Sequence, residues 1–401
     1  MTRSPALDGI RVLDLSTFIS AGFCGTILGE FGAEVIKVEQ PQAGDPLRQF
    51  GTKTESGDSL VWLTEARNKK SVTLDLRTPE GAEILKKLVG KSDVLLENFR
   101  TGTLERWGLG WEQLKAVNPG LVMLRITGFG QTGPRAEEPG FARIAHAFSG
   151  LSYLAGTPET GPLMPGSTSL ADYASGTYGA VGVLMALRER DRSGCGQYVD
   201  IALYEPIFRF LDEMSSAFAF NGTVRERMGA DTVNVVPHSH YPTLDDKWVA
   251  IACTSDKMFR RLAIAMGRSE LAEEENFGRV EERLKCRHEV NELVREWTTG
   301  LTQKEVLDKC ENEQVPAGPI HNVRDISEDP QYAARGNLVK MHDASSGSNI
   351  TTPSVVPTLS ETPGTINHLG PKLGAHTEEI LTDLVSLTSA EIENLRKHKI
   401  I

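Results

Sequence analysis

The first 130 residues alternate short aliphatic and β-branched runs with segments whose apolar positions recur at helical spacing. RVLDLS is followed by AGFCGTILGEFG and AEVIKVE, and the series continues through SVTLDL, PEGAEILKKLVGK, DVLLEN and LVMLRITG. Strand-sized runs separated by helix-sized ones predict an α/β fold with a parallel sheet. Thr78 before Pro79 supplies a cap and a first-turn residue for one of the helices.

Beyond that region the pattern loosens. GFGQTGPRAEEPG, rich in glycine and proline after a strand, reads as a lid or linker. FARIAHAFSG reads as a short helix, and residues 171–190, ADYASGTYGAVGVLMALRER, as a long and largely buried one with small residues at its start. The glycines of RSGCGQ close it, and YVDIAL reads as a further strand. Near Asn221 and Gly222 the character changes: SHYPTLDDKWVAIAC predicts a hairpin around Asp245 and Asp246, and helical segments run on to about residue 313. The chain therefore divides into a large domain over residues 1–220, completed by 330–401, and a smaller one over 221–329. The last part is polar and turn-rich, with strand-like pieces that return to the first domain and a final helix at SAEIENLRKH.

Composition narrows the function classes. Forty-three Lys and Arg against 54 Asp and Glu leave a net charge of -11 over 401 residues, which disfavours nucleic acid or an anionic membrane as a bulk-charge partner. A local basic patch for an anionic ligand remains open. Cys24, Cys195, Cys253, Cys286 and Cys310 are scattered, with no CxxC spacing, and suggest neither a disulfide framework nor a zinc site. No long apolar stretch marks the N-terminus as a signal peptide, and YGAVGVLMAL is too short to span a bilayer, so the expectation is a cytoplasmic protein.

Familiar nucleotide and hydrolase motifs are missing. DLSTFISAGFCG lacks the GxGxxG spacing of dinucleotide folds, and neither GxxxxGK[ST] nor GxSxG occurs. Lys69, Lys70, Arg77, Arg100 and Arg106 lie near predicted strand ends, where open α/β sheets bind ligands, although pattern alone reads most of them as solvated surface charges. His238 and His240 in PHSHYP have no neighbours to complete a metal set and read as turn or surface residues. His146 sits in an apolar helical pattern and reads as a packed or lightly hydrogen-bonded residue rather than a catalytic base. Asp172, in STSLADYASG, stands where the long helix begins; it or Ser169 is suited to cap that helix, and the carboxylate is equally suited to chemistry.

Seven stretches taken together carry a resemblance: LDGIRVLDLS, GAEVIKVEQPQAGDPLR, NKKSVTLDLRTPEG, DVLLENFRTGTLERWGLG, ITGFGQTGP, VPAGPI and LGAHTEEIL. In this order, from residue 7 to about 381, they resemble the family III CoA-transferases (CaiB/BaiF type), the formyl-CoA, carnitine and succinyl-CoA-dependent group. The resemblance implies a Rossmann-like large domain with a smaller α+β domain. It also implies an interlocked homodimer whose long crossings fall near 205–230 and 325–340, alone or with a paralogous subunit. It places the nucleophile on Asp172 and CoA contacts on Phe18, Ser20, Ala21, Leu74, Arg77, Asn98, Phe99 and Arg106. CoA thioester is then a substrate, with no metal and no permanently bound cofactor, and the chemistry passes through aspartyl anhydride and aspartyl-CoA thioester intermediates.

Two departures bear on the substrate. Arg143 stands where many members carry an acidic residue, and we expect it either to pair with a second substrate carboxylate or to form a structural ion pair. The first expectation favours succinyl-CoA with malate, citramalate, mesaconate or itaconate. NVVPHSHYPT replaces the glycine-rich active-site loop of formyl-CoA transferases. The α-methylacyl-CoA racemases resemble the same family but carry a histidine base where this chain has Phe141, and His146 lies further along. A non-catalytic CoA-binding subunit is disfavoured because Asp172 is retained.

Overall fold

The computed structural model describes residues 3–273, 275–343 and 346–401. They form two compact units, one of residues 3–152, 166–220 and 334–401, the other of 153–165 and 221–333.

The larger unit is built on six parallel strands: β1 (Arg11–Asp14), β2 (Glu34–Glu39), β3 (Lys69–Thr73), β4 (Val94–Glu97), β5 (Val122–Thr127) and β6 (Tyr198–Ala202). Their order across the sheet is β3-β2-β1-β4-β5-β6. This is the doubly wound order, with the direction of winding reversing between β1 and β4. Such strands are covered on both faces, which explains why they read as continuous apolar runs. Successive side chains leave opposite faces. Leu13, Ile36, Val72, Leu95 and Met123 pack with the helix Pro79–Val89 and the C-terminal helices. Val12, Val35, Val94, Val122 and Leu124 pack with the helix α1 (Ser20–Glu30) and the long helix Leu170–Ser193. Thr78 caps Pro79–Val89 by accepting the N–H of Gly81 at 3.0 Å.

The C-terminal stretch is stitched onto β3. The N–H of Asn68 donates to the carbonyl of His368 at 3.1 Å, and that of Asp75 to the carbonyl of Ile400 at 2.8 Å. An antiparallel pair, Leu338–Asp343 with Ser348–Pro353, belongs to the same unit.

The long helix differs from its expected burial. Ala171, Ser175, Gly176, Gly179, Ala180, Val183, Ala186 and Leu187 are buried along one stripe, but Tyr178, Val181, Leu184 and Met185 are exposed, Met185 to 68%. Small residues on the stripe allow close approach: a Cβ at Gly176 would stand 2.5 Å from the carbonyl oxygen of Ser20. Residues 128–140 form no helix or strand, and the loop is pinched shut where a Cβ on Gly128 would meet the Cα of Gly140 at 2.7 Å.

The smaller unit holds an antiparallel sheet of His238–Pro242, Trp248–Ala252 and Ala317–Pro319, with helices around a core of Tyr241, Val249, Ile251, Leu262, Val294 and Val306. Asp246 turns the hairpin with φ +56°. Residues 153–165 group here rather than with the large domain expected from sequence. They are tied in by the N–H of Gly229 donating to Gly156 (2.7 Å) and Arg227 Nε donating to the Tyr153 carbonyl (2.9 Å).

Candidate active site

The reversal between β1 and β4 leaves a crevice beyond their C-terminal ends. Across it, the Asn98 side chain accepts from the Thr17 N–H at 2.8 Å and donates to the Thr17 carbonyl at 2.7 Å and to Ser20 Oγ at 2.9 Å. Next along, Phe18 has φ +57°, a left-handed conformation that a bulky L-residue adopts only when its surroundings enforce it. Asp45 supplies part of that enforcement by accepting the Phe18 N–H at 3.0 Å. Ser20 and Ala21 follow in the first turn of α1, both buried.

Beneath this turn lies a closed set of charges. Lys37 Nζ stands 3.0 Å from Asp45 Oδ2 and 3.5 Å from Asp14 Oδ1, and also donates to the Ser16 carbonyl. Lys69 Nζ donates to Asp14 Oδ2 at 2.9 Å and to the Gly22 carbonyl at 2.6 Å. Burial opposes ionisation of Asp14, but Lys37 and Lys69 outweigh it and hold the carboxyl far below the usual carboxylate range. Lys69, 2% exposed, is thus neither a surface charge nor free for a ligand. Lys70 is spent on Glu34 (3.0 Å) and Glu379 (2.7 Å).

A cleft of about 320 Å³ opens over the strand ends, lined among others by Thr17 after β1, Gln40 and Asp45 after β2, Leu74 and Arg77 after β3, and Phe99 after β4. Phe99 donates its N–H to Glu97 Oε2 at 2.8 Å and stands edge-on to Trp107, 5.3 Å between ring centroids. Arg77 makes a two-pronged pair with Asp75, Nε to Oδ1 at 2.8 Å and Nη2 to Oδ2 at 2.7 Å. The same pairing lowers the Asp75 carboxyl below its ordinary value. Arg106 is outside the lining, exposed, with Nη2 on Thr103 Oγ1 at 3.0 Å. Leu74, Arg77 and Phe99 therefore share one cleft, Phe18, Ser20, Ala21 and Asn98 build the turn at its edge, and Arg106 stands apart.

Asp172 is the third residue of the long helix. Neither it nor Ser169 acts as the side-chain cap allowed for from sequence: Ser169 makes no capping bond, and the N–H of Ala171 donates instead to His146 Nε2 at 2.9 Å. The Asp172 carboxyl forms no hydrogen bond or ion pair with any described side chain, and burial pushes it up to about 6. Its neighbour Tyr173 donates to Glu65 Oε1 at 3.2 Å and meets Phe23 edge-on. His146 lies on the helix Ala142–Phe148, whose leading residue Phe141 meets Phe18 edge-on with ring centroids 6.3 Å apart. The turn after β1 and the start of the long helix that carries Asp172 are thus joined through one short helix. Arg143, on that helix, is exposed and has no ion-pair partner among the described residues.

Sequence reading missed Asp45 and the capping part of His146. The Asp-Pro step in GDPLR was a usable signal for the first, because Asp45 also caps the short turn Pro46–Gln49. His238 and His240 lie on a strand of the smaller unit, His240 at the surface as expected and His238 half-buried.

The family model described as CoA-transferase family III matches residues 7–377. The chain is 53% identical to the succinyl-CoA–L-malate CoA-transferase beta subunit of Chloroflexus aurantiacus, over all of this chain and 99% of that one. It is 44% identical to the succinyl-CoA–D-citramalate CoA-transferase of the same organism, over 98% of each. A crystal structure of a CaiB/BaiF family protein from Brucella suis superposes with a TM-score of 0.83 at 33% identity, covering 95% of this chain and 100% of that one. A match that runs almost end to end in sequence and in fold leaves one assignment: the chain belongs to CoA-transferase family III.

Proposed function

We propose that this enzyme moves CoA from succinyl-CoA to a small dicarboxylic acid, malate or a close analogue such as citramalate, with Asp172 as the covalent nucleophile. The observation that carries the proposal is the Asp172 carboxyl itself, half-buried at a helix start, without a hydrogen-bond or ion-pair partner among the described residues, and relieved of capping by His146. A carboxylate titrating near 6 is ionised at pH 7 yet more basic than an exposed aspartate, which suits nucleophilic attack. The relatives' substrates support the choice of acids.

The steps balance without metal or redox chemistry. An Asp172 oxygen attacks the succinyl thioester carbonyl; the C–S bond breaks and CoA thiolate leaves a mixed anhydride. The thiolate attacks the aspartyl carbonyl, expelling succinate and forming an aspartyl-CoA thioester. The acceptor carboxylate then displaces the thiolate to give a second anhydride. Return of the thiolate to the acceptor's carbonyl releases the new acyl-CoA and restores Asp172.

In this reading CoA is a substrate held by the turn at Phe18, Ser20, Ala21 and Asn98 and by Leu74 and Phe99, with Arg77 and Arg106 offering cations to its phosphates. Arg143, exposed and without an ion-pair partner among the described residues, receives the acceptor's second carboxylate. The exposed stripe Tyr178, Val181, Leu184 and Met185 supports association with a second copy or a paralogous chain, in the interlocked manner expected from sequence. A racemase reading finds no support, because His146 is fully buried and its Nε2 already accepts the Ala171 N–H.

The test is mass spectrometry after mixing with succinyl-CoA and trapping with hydroxylamine or borohydride. Modification at Asp172 that is absent in Asp172→Asn is the expected result. Turnover that survives Asp172→Asn would overturn the reading.

A further inference from the structure

The helix bearing Asp172 starts in an unusual way. Its first-turn N–H groups need acceptors, normally supplied by a Ser, Thr, Asp or Asn side chain at the cap. Here Ser169 makes no such bond. The Asp172 and Tyr173 N–H groups turn back to the Ser169 carbonyl at 2.9 and 3.2 Å, and the side-chain acceptor is an imidazole from another helix, His146 Nε2. Because Nε2 accepts, it carries no proton; a ring protonated on both nitrogens has no lone pair to offer. The ring is 0% exposed. Its helix is fixed by the N–H of Ser149 donating to Ala145 (2.9 Å) and by Phe148 packed edge-on against Phe129 and Tyr204.

We propose that His146 is the positioning residue of the nucleophile: by holding the Ala171 N–H it sets where the Asp172 carboxylate points, and it does so only as a neutral ring. The inference rests on Asp172 being the nucleophile. His146 touches no substrate in this reading and acts through the backbone of the neighbouring residue.

The surroundings support a neutral ring at working pH. Burial and then the charge of Arg143, one turn back on the same helix, push His146 below the ordinary histidine value. The packed elements also carry Asp172 and Tyr173 on the first turn of the long helix, and Tyr204, Glu205 and Arg209 on Tyr204–Arg209, where Glu205 is engaged by the Ala202 N–H at 2.8 Å. For a histidine with a lowered native value, the neutral form's contribution is complete above the ordinary 6.5 and is lost as pH falls through the native value. The enzyme should therefore need two groups in their unprotonated forms, Asp172 and His146.

The experiment compares His146→Gln, His146→Leu and Asp172→Asn in the full-length protein. A glutamine amide oxygen reaches roughly the place of Nε2 and accepts the same N–H at any pH; leucine keeps volume and removes the acceptor. Leucine is expected to slow formation of the covalent adduct from succinyl-CoA by about 10- to 100-fold, with little change in KM. Glutamine should restore the rate to within a few fold. The acid limb of log kcat/KM should approach a slope of about two in the native enzyme and about one in His146→Gln. An unslowed leucine variant, a glutamine variant as slow as leucine, or equal acid slopes in native and glutamine enzymes would each overturn the inference. If leucine fails to fold, the glutamine pH profile decides alone. An adduct that persists in Asp172→Asn would instead sink the nucleophile reading.

Discussion

The side chain of Asn98 pairs with both backbone groups of Thr17, accepting at 2.8 Å and donating at 2.7 Å, and so ties the end of β4 to the end of β1 where the sheet changes its winding direction. The amide does both, with its oxygen accepting and its nitrogen donating. Asn98→Asp keeps the acceptor but sets a carboxylate oxygen against the Thr17 carbonyl, leaving an unsatisfied group at a cost of about 1–3 kcal/mol. The Phe18 turn should loosen, and calorimetric titration with CoA should show affinity falling by at least about tenfold.

Arg77 reaches the cleft already paired with Asp75, and its side chain is 56% exposed. A phosphate must share the guanidinium with that carboxylate. Asp75→Asn keeps an oxygen for the Arg77 N–H, which now donates to Asp75 Oδ1 at 3.0 Å, and removes the charge. CoA should bind about three- to tenfold more tightly at low salt, the advantage shrinking as salt screens it. Arg77→Ala should weaken CoA instead.

Asp172 carries a stability consequence with a definite sign. Its carboxyl is raised in the fold from 3.8 to about 6, so the neutral form is the better tolerated one. That preference is complete below about 4 and is lost as pH rises through 6. Ionised Asp172 then costs the fold roughly 2–3 kcal/mol at neutral pH. Asp172→Asn should melt several degrees higher than the native enzyme at pH 8, with the difference closing by pH 4 in thermal scans. With Asp172 as the proposed nucleophile, activity should run the other way, the native enzyme slowing below pH 6 as that carboxylate takes up its proton.

Arg143 should sort acids by their second carboxylate. Arg143→Ala is expected to raise KM for malate or citramalate by about 10- to 100-fold while leaving a monocarboxylic acceptor unchanged. Steady-state kinetics with both acid types makes the comparison, and equal effects on both would show that Arg143 does not read the second carboxylate.

Much of the scaffold was legible in the sequence because burial on both faces writes itself as unbroken apolar runs, as in VLLE and VMLRIT. The hairpin around Asp245 and Asp246 was legible through its turn chemistry. Periodicity does not say whether an apolar face is covered, and so the long helix read as largely buried although Met185 and its neighbours are exposed. Nor does it reveal partners distant in sequence: Lys69 read as a surface charge because nothing local announces Asp14, and His146 read as packed or lightly hydrogen-bonded without a named partner because Ala171 lies a loop and a helix away. By pattern Asp172 was legible as one carboxylate at a helix start, and the resemblance added a nucleophile's role; that its carboxyl has no partner among the described residues, while His146 takes the Ala171 N–H, was not legible.

The joining of Asp75 to Ile400 bears on the order in which the molecule can be assembled. The strand end that positions Arg77 is made before residues 221–333, yet it is secured by Ile400, which is made after them. The smaller unit's sheet needs no residue beyond Pro319 and can complete early. The larger unit keeps its β3 edge unfinished until the chain returns, a separation in sequence expected to slow the closing of this edge.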